Sequence, residues 1–307
     1  MSRCLLCGSP HMGLALSGVT DNRLGVTGAW DIRTCADCGL DQIDPMPAPG
    51  DLVRLYAAHY NAGGNEAAWR GRRERIAASP LYRLWLALDG DIGFHAQRGT
   101  GRLLDVGCNE GRGLARFRTN GFAAEGVEPN PRAAAAARAH GFVVHDGEIG
   151  DVDPGLRFDR IVLANVLEHT PDPRATLAAA HARLAPGGEL WLSLPNAASA
   201  LRPVFGRHWI NWHVPFHLTH FTPDRLAALL AETGFAPVEL RTTSPALWVA
   251  MSVIARLWPG RIERLRAPLL VAPLAAAARG LLFPLFWWWD RRRRGDCILV
   301  RARATPP

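Results

Sequence analysis

Three sets of residues in this chain have the types and spacing for chemistry. Cys4-x-x-Cys7 and Cys35-x-x-Cys38 offer four thiolates, the donor set of a tetrahedral zinc ion, although the 27 residues between the pairs exceed the commonest ribbon spacing. Between Leu103 and Glu128 the chain reads LLDVGCNEGRGLARFRTNGFAAEGVE. There Gly107, Gly111 and Gly113 allow a tight turn and a close backbone approach to a ligand. Glu128, about 20 residues beyond the turn, is placed to accept hydrogen bonds from ribose hydroxyls. His217, then His169 and His213, are the candidates for receiving a proton, because imidazole titrates near neutrality; a packing or capping role is the alternative for each.

The charge of Asp105 selects among nucleotides. A dinucleotide site sets bare amides and a helix N-terminus against a pyrophosphate, which a carboxylate two residues before the first glycine would repel. Gly107 is also followed by Asn109 where the dinucleotide fingerprint requires glycine. A cationic ligand reverses the sign, and S-adenosylmethionine, with an ammonium and a sulfonium beside its adenosine, suits an acid at the end of the first strand.

The elements that must position these groups alternate. After the first βαβ unit, Asn130-Pro131 opens an alanine-rich helix that Gly141 closes. FVVH, FDRIVLAN and ELWLSLPN read as further strands, with TPDPRATLAAAHARLAPGG as a helix and its stop. Such alternation implies a mostly parallel sheet covered on both faces, with ligands beyond the carboxyl ends of its strands. Near the N-terminus, LALSGVTDNRLGVTGAWDIRT has the turn residues and β-formers of a hairpin that would bring the two cysteine pairs together. A redox dithiol and disulfides are the other readings of those cysteines. No secretory signal is read before Cys4, so a reducing cytoplasm is expected and disulfides are disfavoured.

LLDVGCNEG, GVEPN, HDGE, FDRIVLANVLEHTPDP, LAPGGELWLSLPN and HFTPDRLAALLAETGF resemble the successive motifs of class I S-adenosylmethionine-dependent methyltransferases, over residues 101–244. The resemblance implies a Rossmann-like α/β fold with a mostly parallel seven-stranded sheet. It also implies that Asp105 and Gly107, with Cys108, Asn109 and Gly111 in the turn, face the methionine end. Glu128 and Pro129 would meet the ribose, and Asp146, Gly147 and Glu148 the adenine edge. Asn165, Val166 and His169 would floor the site near the sulfonium. Asn109 departs from the usual glycine, and asparagine is the residue that best tolerates the left-handed conformation. The cysteine module and CGLDQIDPMPAP, followed by Tyr56 and Tyr60, resemble sugar C-methyltransferases. VPFHLTHFT keeps His217 but has Val214 and Phe216 where that family has tyrosine and glutamate, and the family's C-terminal domain is not matched within these residues. This second likeness implies an architecture and a base, not the same sugar.

We therefore expect a zinc ribbon at 1–48, a helical linker or lid at 49–98, a methyltransferase core at 99–245, and an apolar, arginine-rich helical insertion plus a terminal strand at 246–307. The chain has no lysine; all 35 basic residues are arginine. Residues 251–307 carry eleven arginines against Glu263, Asp290 and Asp296, a net of +8 that exceeds the +7 of the whole chain. The first 250 residues therefore hold no basic excess for nucleic acid, and the fourth strand ends in NVLEH, without the Pro-Pro-aromatic loop that grips a flat exocyclic amine. An RNA methyltransferase is disfavoured on both counts, and a non-catalytic cofactor-binding scaffold is disfavoured by the intact Asp105 and Glu128. A small-molecule acceptor, such as a sugar, a lipid-linked intermediate or a natural-product scaffold, is expected, methylated on oxygen or carbon. The tail from Ala267 to Trp289 is 23 residues long, enough to span a bilayer, but Arg279 and three prolines argue against a straight span. Its tryptophans beside Arg291–Arg294 suit an anionic membrane surface, and packing on the sheet or in a homodimer through 246–295 is the alternative. The expected location is cytoplasmic, peripheral at the inner face of the membrane if the lipid reading holds.

Overall fold

The strands are β1 Met12–Val19, β2 Trp30–Cys35, β3 Asp41–Asp44, β4 Arg102–Val106, β5 Ala123–Glu128, β6 Val144–Asp146, β7 Phe158–Ala164, β8 Leu184–Pro195, β9 Thr219–His220, β10 Phe235–Thr243 and β11 Cys297–Ala304. The computed structural model describes residues 3–60, 80–265 and 267–305, so the middle of the expected 49–98 lid lies outside the described residues. Seven strands form one sheet in the order β10-β11-β8-β7-β4-β5-β6. Strands β4 to β8 are parallel, while β11 runs antiparallel to both β8 and β10. The chain winds from β4 outward to β6 and then returns to β7 on the other side of β4. The ligand crevice of such a sheet opens where that reversal occurs, beyond the carboxyl ends of β4 and β7.

Local chemistry explains the helices between these strands. Asn130, Asp172 and Thr222 each cap a helix with a side-chain oxygen that accepts from backbone amides, and each is followed by a proline whose fixed φ suits the first turn. Leu103, Leu104, Ile161, Val162 and Leu163 are fully buried, as expected for central strands covered on both faces. Each fully buried ring, such as Phe117 or Phe158, adds about 1.5–3 kcal/mol of transfer free energy to that core.

The N-terminal hairpin is β1 and β2, and its sheet continues through β3 to β9, which lies some 175 residues later. Asp41 pairs with His220 and Gln42 with Thr219, and the Ile43 amide donates to the Leu218 carbonyl at 3.2 Å. Cys4, Leu6, Cys35 and Leu40 share a core cluster with Leu104, Leu163 and Leu192 of the large sheet. The 1–48 segment is thus stitched into the catalytic domain by pairing and packing.

Four helices, Ala246–Leu257, Ile262–Leu265, Pro268–Leu281 and Phe283–Arg291, separate β10 from β11. The 23-residue stretch considered as a span is broken at Leu282 into two segments bent by 71°, and no single described helix is long and apolar enough to cross a membrane. Val271, Ala275 and Phe286 are buried in one cluster with residues of the Ala246–Leu257 helix. Arg279 is buried and donates to Asp89 Oδ1 and to the Ser244 carbonyl, both at 2.6 Å. Leu269, Leu281, Trp287 and Trp288 face outward, the last two beneath Arg291 and Arg292.

Candidate active site

The crevice is built from the turns after β4, β5 and β7. Gly107, Asn109 and Gly111 all have positive φ, at +69°, +51° and +82°, so Asn109 does adopt the left-handed conformation its type tolerates. Two amides hold Glu128: Asn109 N–H donates to one carboxylate oxygen and Asn130 N–H to the other, each at 2.9 Å. The acid thereby ties the first turn to the second, and each of its oxygens keeps a further lone pair. A Cβ at Gly113 would sit 2.6 Å from Asp105 Oδ2, so only glycine lets this helix approach the strand-end acid. Val166 leans to 3.1 Å of the Cβ position of Gly107, bringing the β4 and β7 turns into contact. Asn165, with φ +55°, donates its N–H to the Ser193 carbonyl at 2.8 Å.

Electrostatics set the crevice apart from the rest of the sheet. Burial, and then the neighbouring Glu128, push the Asp105 carboxyl up to about 7. Burial also raises Glu128, opposed by the two amides it accepts from. His95, in the turn before β4, is pushed down to about 4 by burial and by Arg116, and its ring packs against Phe117. It lies beside Gly113 and Asp105, and the sequence reading passed over it because nothing in its local sequence links it to the strand end.

Some sequence candidates are occupied elsewhere. The Cys108 thiol turns into the core against Gly126, so this residue can meet a ligand only through its backbone. Glu148 caps the short turn Ile149–Asp151 in a reciprocal capping box. Gly147, at φ +96°, leaves room for Asp151 beside that cap, and Pro129 simply joins Glu128 to the Asn130 cap. Asp146, at the end of β6, is exposed and paired with Arg138 at 2.8 Å.

His169, His213 and His217 come together although 48 residues separate the first from the last: their potential ligand atoms all lie within 4.8 Å of one another. His169 ends the short helix after β7. His213 and His217 lie one turn apart, with His217 N–H donating to the His213 carbonyl at 3.1 Å. His169 Nδ1 is 3.0 Å from the Phe216 carbonyl and 2.8 Å from the Tyr56 hydroxyl. His217 Nδ1 is 2.8 Å from the Asn211 carbonyl, and its Nε2 is 3.4 Å from His213 Nδ1. Burial pushes His169 down to about 4 and the other two well below the ordinary histidine range, so all three rings are neutral at pH 7. Glu168 is also buried, pushed up to about 8 by desolvation, with Oε1 3.9 Å from His217 Nε2. Glu168 and Tyr56 were absent from the sequence candidates; adjacency to His169 in LEH was the available signal for Glu168, whereas the Tyr56 contact spans 113 residues.

The four cysteines converge as the hairpin reading expected. Cys4 Sγ is 3.5 Å from Cys38 Sγ and Cys7 Sγ is 3.6 Å from Cys35 Sγ, with all four within 4.8 Å of one another. A disulfide is about 2.05 Å long, whereas thiolates around one zinc at about 2.3 Å stand about 3.8 Å apart. The donor set and spacing fit a tetrahedral ion.

A sheet of this order, with acids ending β4 and β5 around a glycine turn at the switch point, defines a nucleoside-binding α/β enzyme. The family described as methyltransferase domain matches residues 69–240, more than half of the chain, and this protein belongs to it. It is an S-adenosylmethionine-dependent methyltransferase. A ubiquinone biosynthesis O-methyltransferase of Cereibacter sphaeroides is 31% identical over 163 residues, 48% of this chain and 66% of that protein. One from Xanthomonas euvesicatoria is 33% identical over 172 residues, 51% of this chain and 70% of that protein. This chain thus spans about two thirds of the length of these relatives, which match about half of it. Among solved structures, a 1,6-didemethyltoxoflavin-N1-methyltransferase of Burkholderia thailandensis is similar at 17% identity and a TM-score of 0.47, covering 95% of this chain and all of the other.

Proposed function

We propose that the enzyme moves the methyl group of S-adenosylmethionine to a hydroxyl oxygen of a small-molecule acceptor held over the histidine cluster. The observation that carries this reading is the cluster's position: it follows β7 directly, and Val166 of the same turn touches the Gly107 turn of the cofactor crevice. The relatives named as O-methyltransferases support oxygen as the acceptor. In the transfer, the acceptor oxygen bonds to the methyl carbon as the carbon–sulfur bond breaks, sulfur keeps the electron pair, and the hydroxyl proton leaves through the histidines. The sulfonium is already activated, so alignment and exclusion of water supply most of the acceleration. On this reading Asp105 meets the methionine ammonium and Glu128 the ribose, and Asp146 would exchange its exposed Arg138 partner for the adenine edge. Zinc at Cys4, Cys7, Cys35 and Cys38 is structural.

Transfer of labelled methyl into fractionated cell extract tests the proposal. Label is expected in small molecules, as a methyl ether. Label confined to RNA, or to carbon or nitrogen of the product, would reject it.

Asp105 gives this reading a pH dependence. A carboxyl held near 7 in the free protein must lose its proton to meet a cation, so affinity for S-adenosylmethionine should fall about tenfold per pH unit below 7 and level off above it. The sign for the unliganded fold is the same in origin. Its pKa is raised above the unfolded value, so this group's contribution to stability declines as pH rises from about 4 to about 7, and the ligand offsets the loss. The acids and bases around it are Glu128, His95 and Cys108. Calorimetry from pH 5.5 to 8 should show the slope in the wild type and a flat, weaker profile in Asp105→Asn; a flat wild-type profile would remove Asp105 from the cofactor site.

A further inference from the structure

We propose that His169, His213 and His217 bind a divalent transition-metal cation of the zinc class beside the buried Glu168, at a site separate from the cysteine cluster. One of the three rings is already oriented as metal ligands usually are. A carbonyl oxygen only accepts, so the Asn211 carbonyl fixes a proton on His217 Nδ1 and leaves its Nε2 with a lone pair, while His169 Nδ1 faces both the Phe216 carbonyl and the Tyr56 hydroxyl, which can donate as well as accept. Ligating histidines characteristically donate their second ring N–H to a carbonyl or carboxylate in this way. His217 Nε2 and His213 Nδ1 are 3.4 Å apart, the edge of a tetrahedron with metal–nitrogen distances of about 2.0–2.1 Å.

Glu168 supplies the independent observation. It is buried, and neither of its carboxylate oxygens receives a hydrogen bond from another described residue. Arg23 is nearby, yet it donates to Asn211 Oδ1 at 3.2 Å and not to Glu168. A buried carboxyl whose oxygens lack hydrogen-bond partners is costly, and a dication held by the imidazoles beside it would compensate its ionised form. Three imidazole donors favour zinc, cobalt, nickel or ferrous iron over magnesium or calcium, which prefer all-oxygen shells. The role of such an ion, holding the acceptor oxygen as its anion, rests on the methyl-transfer reading above; the binding of the ion does not.

Cobalt titration of the metal-depleted full-length protein, followed by visible absorption and elemental analysis, tests the site. Expected is one equivalent of cobalt with d–d bands and no thiolate charge transfer, lost in His213→Asn and in His217→Asn while S-adenosylmethionine affinity persists. A wild-type spectrum of thiolate character alone would overturn the proposal, as would a spectrum unchanged in both variants. Should the variants fail to fold, cadmium-113 resonances of the wild type decide: a signal in the nitrogen and oxygen range supports the site, and thiolate signals alone reject it. Failure of the two readings is distinguishable. Cobalt bound at the histidines with no methyl transfer to any fraction removes the proposed function and leaves the site. Full transfer by protein lacking metal at the histidines removes the ion's role.

Discussion

Replacing His217 with alanine is expected to lower methyl transfer by about 10²–10⁴-fold, the span for losing a group that handles the transferred proton, while leaving affinity for S-adenosylmethionine nearly unchanged. The prediction holds whether Nε2 takes the proton itself or instead binds a cation that holds the acceptor oxygen as its anion, since either role needs that lone pair, which faces His213 and Glu168. The loss should appear in kcat with a smaller change in KM, because the interaction is made with charge that develops in the transition state. Removing the ring also abandons the Asn211 carbonyl, at a cost of about 1–3 kcal/mol. A domain stable by about 5–15 kcal/mol survives that, and a melting curve confirms it. Undiminished turnover in His217→Ala would pass the role to His169 or His213, or show that no proton acceptor is required.

Where the fold depended on neighbours in sequence, it was legible. Asn130-Pro131 announced its helix because cap and proline act within one turn, and Asn109 could be placed in the left-handed region because few residue types tolerate it. The alternation of apolar strands with helices gave the parallel sheet for the same reason. Contacts that close over long loops left no local trace. The pairing of Asp41 with His220, the ion pair of Arg279 with Asp89, and the Tyr56 hydroxyl on His169 each join segments more than a hundred residues apart. Residue type carried the histidines into view, while their convergence, and the burial of Glu168 among them, came only with tertiary packing. The tail shows the same limit. Hydropathy detected an apolar stretch, but a turn at Leu282 and the buried Arg279 decide that one face packs on the domain and the other remains outside.

Stripping metal from the four cysteines should reach well beyond the first 48 residues. Structural zinc contributes about 10–16 kcal/mol of apparent binding free energy in small peptides at neutral pH, comparable to the whole stability of a domain. The sequence alone would confine the damage to a small module without a core of its own. The structure spreads it, because Cys4, Cys35 and Leu40 pack with the large sheet and β3 pairs with β9. Strand β9 directly follows His217 and Leu218, whose amide and carbonyl are engaged by Glu168 and Ile43 respectively. Loosening β3 therefore frees the segment that holds two of the three histidines. Chelation should lower the melting temperature by ten degrees or more, as a loss of several kcal/mol does in a chain of this size at about 2–4 °C per kcal/mol. It should also speed amide exchange from Asp41 to Asp44 and from His217 to His220, and reduce methyl transfer in the same proportion. Elemental analysis finding no metal on these thiols in protein purified without chelator, or exchange that quickens only before residue 40, would show that the module is neither metal-held nor coupled to the histidine loop.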